Sequence, residues 1–218
     1  MPLAIFDLDN TLLAGDSDHS WGEFLVAHGY VDSTEYTKKN DQFFVDYNKG
    51  KLDIHAYLEF SLDILAKIPM AELRLLRATF INEYIIPMQL PKARALLKKH
   101  RDTGDHTLII TSTNRFIVEP ICEILGVKDI LATELEQKGG KFTGKVKGIP
   151  AFGEGKVHHL NAWLQDKQLT LHRSSFYTDS INDLPLMLKV DKPIAVDPDP
   201  GLLNEATIRG WEIISLRK

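Results

Sequence analysis

Short apolar runs rich in Ile, Val and Phe recur along the chain between longer stretches of helical periodicity. The runs Leu3–Leu8, Thr107–Thr111, Ile130–Thr133, Ser175–Thr178 and Ile194–Val196 predict buried strands. They are continuously apolar rather than alternating, as strands of a parallel sheet covered on both faces must be. Helices are predicted between them at about 91–103, 115–126, 156–167 and 182–189. Pro91 can open the first of these, Gly104 can close it, and Gly126 can close the second. Strands alternating with helices predict an α/β fold with a Rossmann-like, doubly wound parallel sheet as its core.

Residues 15–87 break this rhythm. They hold no strand pattern but four amphipathic stretches, roughly 18–29, 34–48, 53–66 and 71–85, punctuated by Gly29, Gly50 and Pro69. The expected organisation is a helical insertion at 15–87 in a core made of 1–14 and 88–218. A second departure is Glu134–Lys147, where Lys138-Gly139-Gly140-Lys141 between short polar runs predicts a small β-hairpin.

Composition narrows the class. With 218 residues, 44% of them hydrophobic and 26% charged, the chain fits one domain carrying an insertion and able to bury a core. Its 26 Lys and Arg against 30 Asp and Glu give a net charge of −4, and the lysines are scattered, so no nucleic-acid partner is expected. No apolar run approaches the roughly 20 residues that cross a bilayer, and Met1–Asp7 lacks the basic start of a signal peptide. The single cysteine, Cys122, lies in an apolar helical stretch and reads as a buried thiol. These features predict a cytoplasmic protein with no membrane partner.

Candidate chemistry sits at strand ends. Ile5-Phe6-Asp7-Leu8-Asp9-Asn10-Thr11 runs an apolar strand directly into two carboxylates spaced i, i+2, at the edge where open α/β sheets bind ligands. Ser175–Asp183 repeats the design, ending in Asp179 and Asp183. Carboxylates brought together from neighbouring strands repel unless a cation neutralises them, and hard oxygens suit Mg²⁺. Thr111-Ser112-Thr113-Asn114 ends another strand just before a helix, where hydroxyls and N–H groups can take an anion, although Thr113 or Asn114 can equally serve as a helix cap. Lys156, at the start of a predicted helix, opposes the helix dipole, which favours a specific role over a surface one.

Asp7-Leu8-Asp9-Asn10-Thr11, Thr111, Lys156 and Asp179–Asp183, in that order, resemble the four signatures of the haloacid dehalogenase superfamily of phosphatases. The resemblance covers the whole chain, and the 15–87 insertion resembles the α-helical cap of the phosphoserine-phosphatase-like branch. It implies Mg²⁺-dependent hydrolysis of a small-molecule phosphomonoester through an aspartyl-phosphate. It also implies roles: Asp7 as nucleophile, Asp9 as acid and base, and Thr111 and Lys156 as holders of the phosphoryl oxygens. Asp7, Asp9 (through its carbonyl) and Asp179 would bind the metal, with Asp183 in support. Asp16, Ser112 and Asn182 are the implied substrate contacts.

The substrate is read more coarsely. Phosphoserine phosphatases typically have a serine and two glycines at the second signature and a glycine after the metal aspartate. Here Thr111-Ser112-Thr113 and Ser180 stand instead. Gly15-Asp16-Ser17-Asp18-His19-Ser20-Trp21 is similar to a bacterial group that includes histidinol-phosphate phosphatases. L-histidinol phosphate is therefore the expected substrate, phosphoserine or another amino-alcohol phosphate the alternative. Asp16, Asp18 and Asp41 are acids that suit a cationic leaving group, with helix capping the competing reading for Asp16 and Asp18. A phosphotransferase or phosphomutase, or a non-catalytic phosphate-binding protein, are the readings of another class. Gly139–Lys145 has P-loop spacing but Val146 where Ser or Thr is needed, and adjacent His158-His159 cannot chelate one metal from one helix face. Trp21, Phe24, Phe43 and Phe44 are expected mostly in the core of the insertion.

Overall fold

The computed structural model describes residues 2–217. Its central sheet comprises β1 (Leu3–Phe6), β2 (His106–Asn114), β3 (Asp129–Thr133), β6 (Ser175–Thr178), β7 (Lys192–Val196) and β8 (Glu212–Ile214). The spatial order is β3-β2-β1-β6-β7-β8, with every pairing parallel. Two further strands, β4 (Leu135–Lys138) and β5 (Lys141–Val146), form the antiparallel hairpin expected around Gly139-Gly140.

Alternation along β1 explains why the sheet is covered on both sides. Ala4 and Phe6 enter one buried cluster and Leu3 and Ile5 the other, because successive side chains point to opposite faces. Helices α5 (Pro91–Asp102), α6 (Arg115–Leu125), α7 (Glu154–Lys167), α8 (Leu184–Met187) and α9 (Pro200–Arg209) complete the core. Gly126 closes α6 in the left-handed conformation (φ 71°), as its position suggested. Cys122 is buried in α6, and burial pushes its thiol up to about 12. Two elements escaped the sequence pattern, α9 and the edge strand β8. The helix expected at 182–189 is a 3₁₀ turn, Ile181–Asp183, followed by the four-residue α8.

Between β1 and α5 lie α1 (Ser17–Ala27), α2 (Ser33–Asn48), α3 (Ile54–Lys67) and α4 (Met70–Phe80), the last followed by a single wide turn of π-helix, Ile81–Ile85. Asp16, Asp32 and Asp53 cap the first three, each accepting two backbone N–H groups of the first turn. The chain leaves and re-enters the core at one place. Leu13 bridges Gln89 in antiparallel fashion, and Ala14 donates its N–H to the Met88 carbonyl at 2.9 Å. At the other end of this helical segment, α3 packs on β5. Gly144 sits at this contact with φ 80°, a left-handed conformation that favours glycine. Among the described residues, no helix is long and apolar enough to cross a membrane.

Candidate active site

The sheet changes direction at β1: the chain runs outward through β2 and β3 on one side and through β6, β7 and β8 on the other. A crevice opens beyond the carboxyl ends of strands at such a switch point. Register fixes what faces it. Phe6 lies opposite both Ile109 and Tyr177, and Asp7 extends the strand by donating its N–H to the Tyr177 carbonyl at 2.8 Å. Asp7 therefore emerges between the Ile110-Thr111 stretch of β2, where its pairing with β3 loses regular register, and Thr178-Asp179 at the end of β6.

Lys156 reaches this point from the first turn of α7 with a side chain that is 0% exposed. Its Nζ lies 2.8 Å from Asp7 Oδ1 and 2.7 Å from Asp183 Oδ1. Burial alone would lower the pKa of the ammonium, but Asp183 and Asp7 outweigh it and hold the lysine charged. Asp183 is further fixed by the Thr178 hydroxyl at 2.6 Å, and Asp179 accepts from the Thr11 hydroxyl at 3.0 Å. The other oxygen of Asp7, Oδ2, is buried and has no hydrogen-bond partner. Gly155 is required by the close approach of α7 to the preceding loop, because a methyl group there would sit 2.0 Å from the Pro150 carbonyl oxygen. Gly155→Ala is expected to cost about 1–3 kcal/mol of stability, read from the urea midpoint; an unchanged midpoint would mean the Pro150 loop yields freely.

Asp9 is held differently. Its Oδ1 accepts the backbone N–H of Ser17 at 2.7 Å and its Oδ2 the hydroxyl of Thr113 at 2.8 Å. Burial, reinforced by Asp16, pushes its carboxyl up to about 7. Burial likewise pushes Asp7 up to about 7 and Asp179 well above the usual carboxylate range. Three carboxylates, Asp7, Asp179 and Asp183, thus face one ammonium. No three His, Cys, Asp or Glu side chains among the described residues form a metal cage by themselves. A hard cation bound by two carboxylates and a backbone carbonyl, its other positions taken by water and substrate oxygens, fits the unpartnered Asp7 oxygen and the excess of negative charge.

Above this floor lies a cavity of about 540 Å³, its open mouth included. Asp7, Asp9, Thr111, Ser112 and Thr113 line one end. Phe43, Phe44 and Tyr47 of α2 and Tyr57 of α3 supply aromatic walls, with Asp16 and Asp18 beside them. Of the residues singled out in the sequence, Asp7, Asp9, Thr111, Lys156, Asp179 and Asp183 converge at the strand ends and Ser112 reaches the cavity. Asp16 lines it too, but one of its oxygens caps α1 by accepting from Asp18 and His19 N–H at 2.9 and 2.8 Å. Asn182 does not line the cavity: its amide donates to the Tyr47 carbonyl at 3.0 Å and to Ser180 Oγ at 3.1 Å. Asn114 serves as the cap of α6. Trp21 and Phe24 are core residues as expected, whereas Phe43 and Phe44 face the cavity. The partners of Asp9 and the role of Tyr47 were not foreseen, since both depend on how α1 and α2 dock onto the sheet.

A family model described as haloacid dehalogenase-like hydrolase matches residues 4–188. The chain is 44% identical over 219 residues to a histidinol-phosphatase of Neisseria meningitidis serogroup C, covering 99% of each. It is 31% identical over 217 residues to a phosphoserine phosphatase of Mycobacterium tuberculosis, covering 98% of this chain and 70% of that one. Among solved structures, a protein of unknown function from Bordetella pertussis Tohama I matches with a TM-score of 0.92 at 40% identity, over 99% of this chain and 98% of that one.

Proposed function

The chain belongs to the haloacid dehalogenase-like hydrolase family and is a phosphoric monoester hydrolase, and we propose that it hydrolyses L-histidinol phosphate through a phosphoaspartate on Asp7. The observation that carries this reading is the Asp7–Lys156–Asp183 arrangement, with an unpartnered Asp7 oxygen beside a cavity walled by α2 and α3. The 44% identical histidinol-phosphatase supports the choice of substrate. Phosphoserine is the second reading, favoured by the mycobacterial relative.

In the proposed reaction an oxygen of Asp7 bonds to phosphorus as the phosphorus–alkoxide bond breaks. Asp9 gives its proton to the departing oxygen, a role suited to a carboxyl pushed up to about 7. The hydroxyl of Thr113 and the N–H of Ser17 hold Asp9 in place for it. Asp9 then takes a proton from the water that attacks the phosphoaspartate, which releases phosphate and restores Asp7. Lys156 and Thr111 neutralise and orient the phosphoryl oxygens. Mg²⁺ would be held by Asp7, Asp179 and the Asp9 carbonyl, with Asp183 in support, and when bound it would lower the repulsion between Asp7 and an anionic phosphate. Residues 15–87 act in this reading as the cap that meets the leaving group.

Phosphate release is to be measured over a panel of phosphomonoesters, with Mg²⁺ and with EDTA. The expected result is one strongly preferred substrate, histidinol phosphate, and loss of turnover by about 10²-fold or more in EDTA. Release that persists in EDTA would remove the metal from the mechanism. Transfer of phosphate to an added alcohol in excess of free phosphate would replace hydrolysis by phosphotransfer.

A further inference from the structure

We propose that Asp18, which lines the cavity together with Tyr57, seats the cationic end of the leaving group, and that this cavity selects amino-alcohol phosphates bearing no carboxylate. The proposal rests on the phosphatase reading for the identity of the reacting end and concerns only what the opposite end accepts.

The cavity lining contains four carboxylates, those of Asp7, Asp9, Asp16 and Asp18, and neither a lysine nor an arginine. The nearby buried ammonium, Lys156, is already shared between Asp7 and Asp183 at the floor. A ligand carboxylate entering here would be desolvated beside like charges with no cation to receive it, which disfavours it strongly. An ammonium or imidazolium meets the opposite situation. It finds carboxylates and the faces of Phe43, Phe44, Tyr47 and Tyr57, the surroundings that bind organic cations.

Of the two carboxylates away from the reacting end, Asp16 and Asp18, the first is committed to the α1 cap, which favours Asp18. Asp9 is occupied by Ser17 and Thr113 close to the reacting end. Asp16 spends one oxygen on the α1 cap. His19 also lines the cavity and offsets part of the charge of Asp16 and Asp18, but its Nε2 is engaged by Asp41 at 2.9 Å and its ring stacks on Phe44 at 4.5 Å, which leaves it poorly placed to receive a ligand carboxylate. Asp18 shares the cavity wall with Tyr57, and its electrostatic neighbours there are Tyr57, His19 and Asp9. Its remaining exposure is to the cavity it lines, and burial, with Asp9 adding to it, pushes the carboxyl up to about 7. A cation placed beside it relieves that cost, which is a gain realised only by ligands that carry one.

Two substrates that differ only in the carboxylate provide the test, O-phosphoethanolamine and phosphoserine. The wild-type protein is expected to favour the first in kcat/KM by about tenfold or more, and Asp18→Asn is expected to shrink that ratio by about tenfold. Equal losses on both substrates, or a wild-type preference for phosphoserine, would overturn the proposal. Calorimetric binding of histidinol and histidine to the metal-loaded protein gives a readout that needs no turnover. Histidinol should bind at least about tenfold more tightly, and comparable affinities would again overturn it. Hydrolysis of p-nitrophenyl phosphate, which bears no cation, tests the underlying reading separately: its absence defeats the phosphatase assignment, and the binding comparison still decides the selectivity of the cavity.

Discussion

Asp7→Asn is expected to lower kcat by about 10⁴-fold or more while the protein remains folded. The amide oxygen can still accept from Lys156, and the substitution preserves volume in a site that is 2% exposed. What is lost is the carboxylate that forms the covalent bond. The same change should leave the metal-free protein at least as stable as wild type at pH 8. The Asp7 carboxyl is raised to about 7 in the fold, chiefly by burial. An acid whose pKa is raised on folding contributes stability below its unfolded value and loses it as pH climbs through the folded one. Removing the charge removes that loss. Thermal unfolding in EDTA together with single-turnover kinetics checks both halves. Full activity would eliminate Asp7 as nucleophile, and loss of stability equal to a core deletion would make its role structural.

The second large effect is expected at Lys156. Lys156→Met keeps the stem of the side chain but leaves Asp7 and Asp183 facing each other without their cation. Breaking a buried pair in this way costs about 3–5 kcal/mol, and turnover should fall below detection, since a charge that offsets the phosphoryl oxygens is gone. The pH dependence identifies the cause. Without the ammonium, the Asp7 carboxyl, already raised by burial and held down by Lys156, rises further, so the variant's deficit should be larger at pH 8 than at pH 5, where this carboxyl takes up a proton. Urea midpoints at the two pH values in EDTA decide it. A deficit that does not change with pH would point to packing of the stem rather than to charge.

The inner strands were legible because a parallel strand buried on both faces needs an apolar run, and β1, the Leu108–Ile110 centre of β2 and Phe176-Tyr177 in β6 supply one. The carboxylates at their ends were legible for the complementary reason, since an apolar run that stops at an acid has few structural motives. What escaped was weakly patterned or non-local. Helix α9 buries only Leu202 and Ala206, and β8 is a three-residue edge, so neither carries a strong periodic signal. The grip of Ser17 and Thr113 on Asp9 joins residues 104 positions apart in the latter case, and only the docked fold reveals it. Phe43 and Phe44 show the limit of helical periodicity, which identifies the covered face of α2 without distinguishing cover by protein from cover by a ligand. Asn182 donates its amide to the backbone carbonyl of Tyr47 and so links the Asp179–Asp183 turn to α2, a contact between segments 135 positions apart that no local pattern announces.

The shared doorway at Leu13–Ala14 and Met88–Gln89 bears on how this architecture diversifies. A segment whose two ends are hydrogen-bonded to each other can be transplanted from one relative to another without respacing the sheet beneath it. The graft has a second boundary, however, because β5 rests on α3 through the bare backbone of Gly144. A chimera that exchanges 15–87 should therefore carry the 134–147 hairpin with it, so that the exchangeable unit is two separated stretches of sequence rather than one.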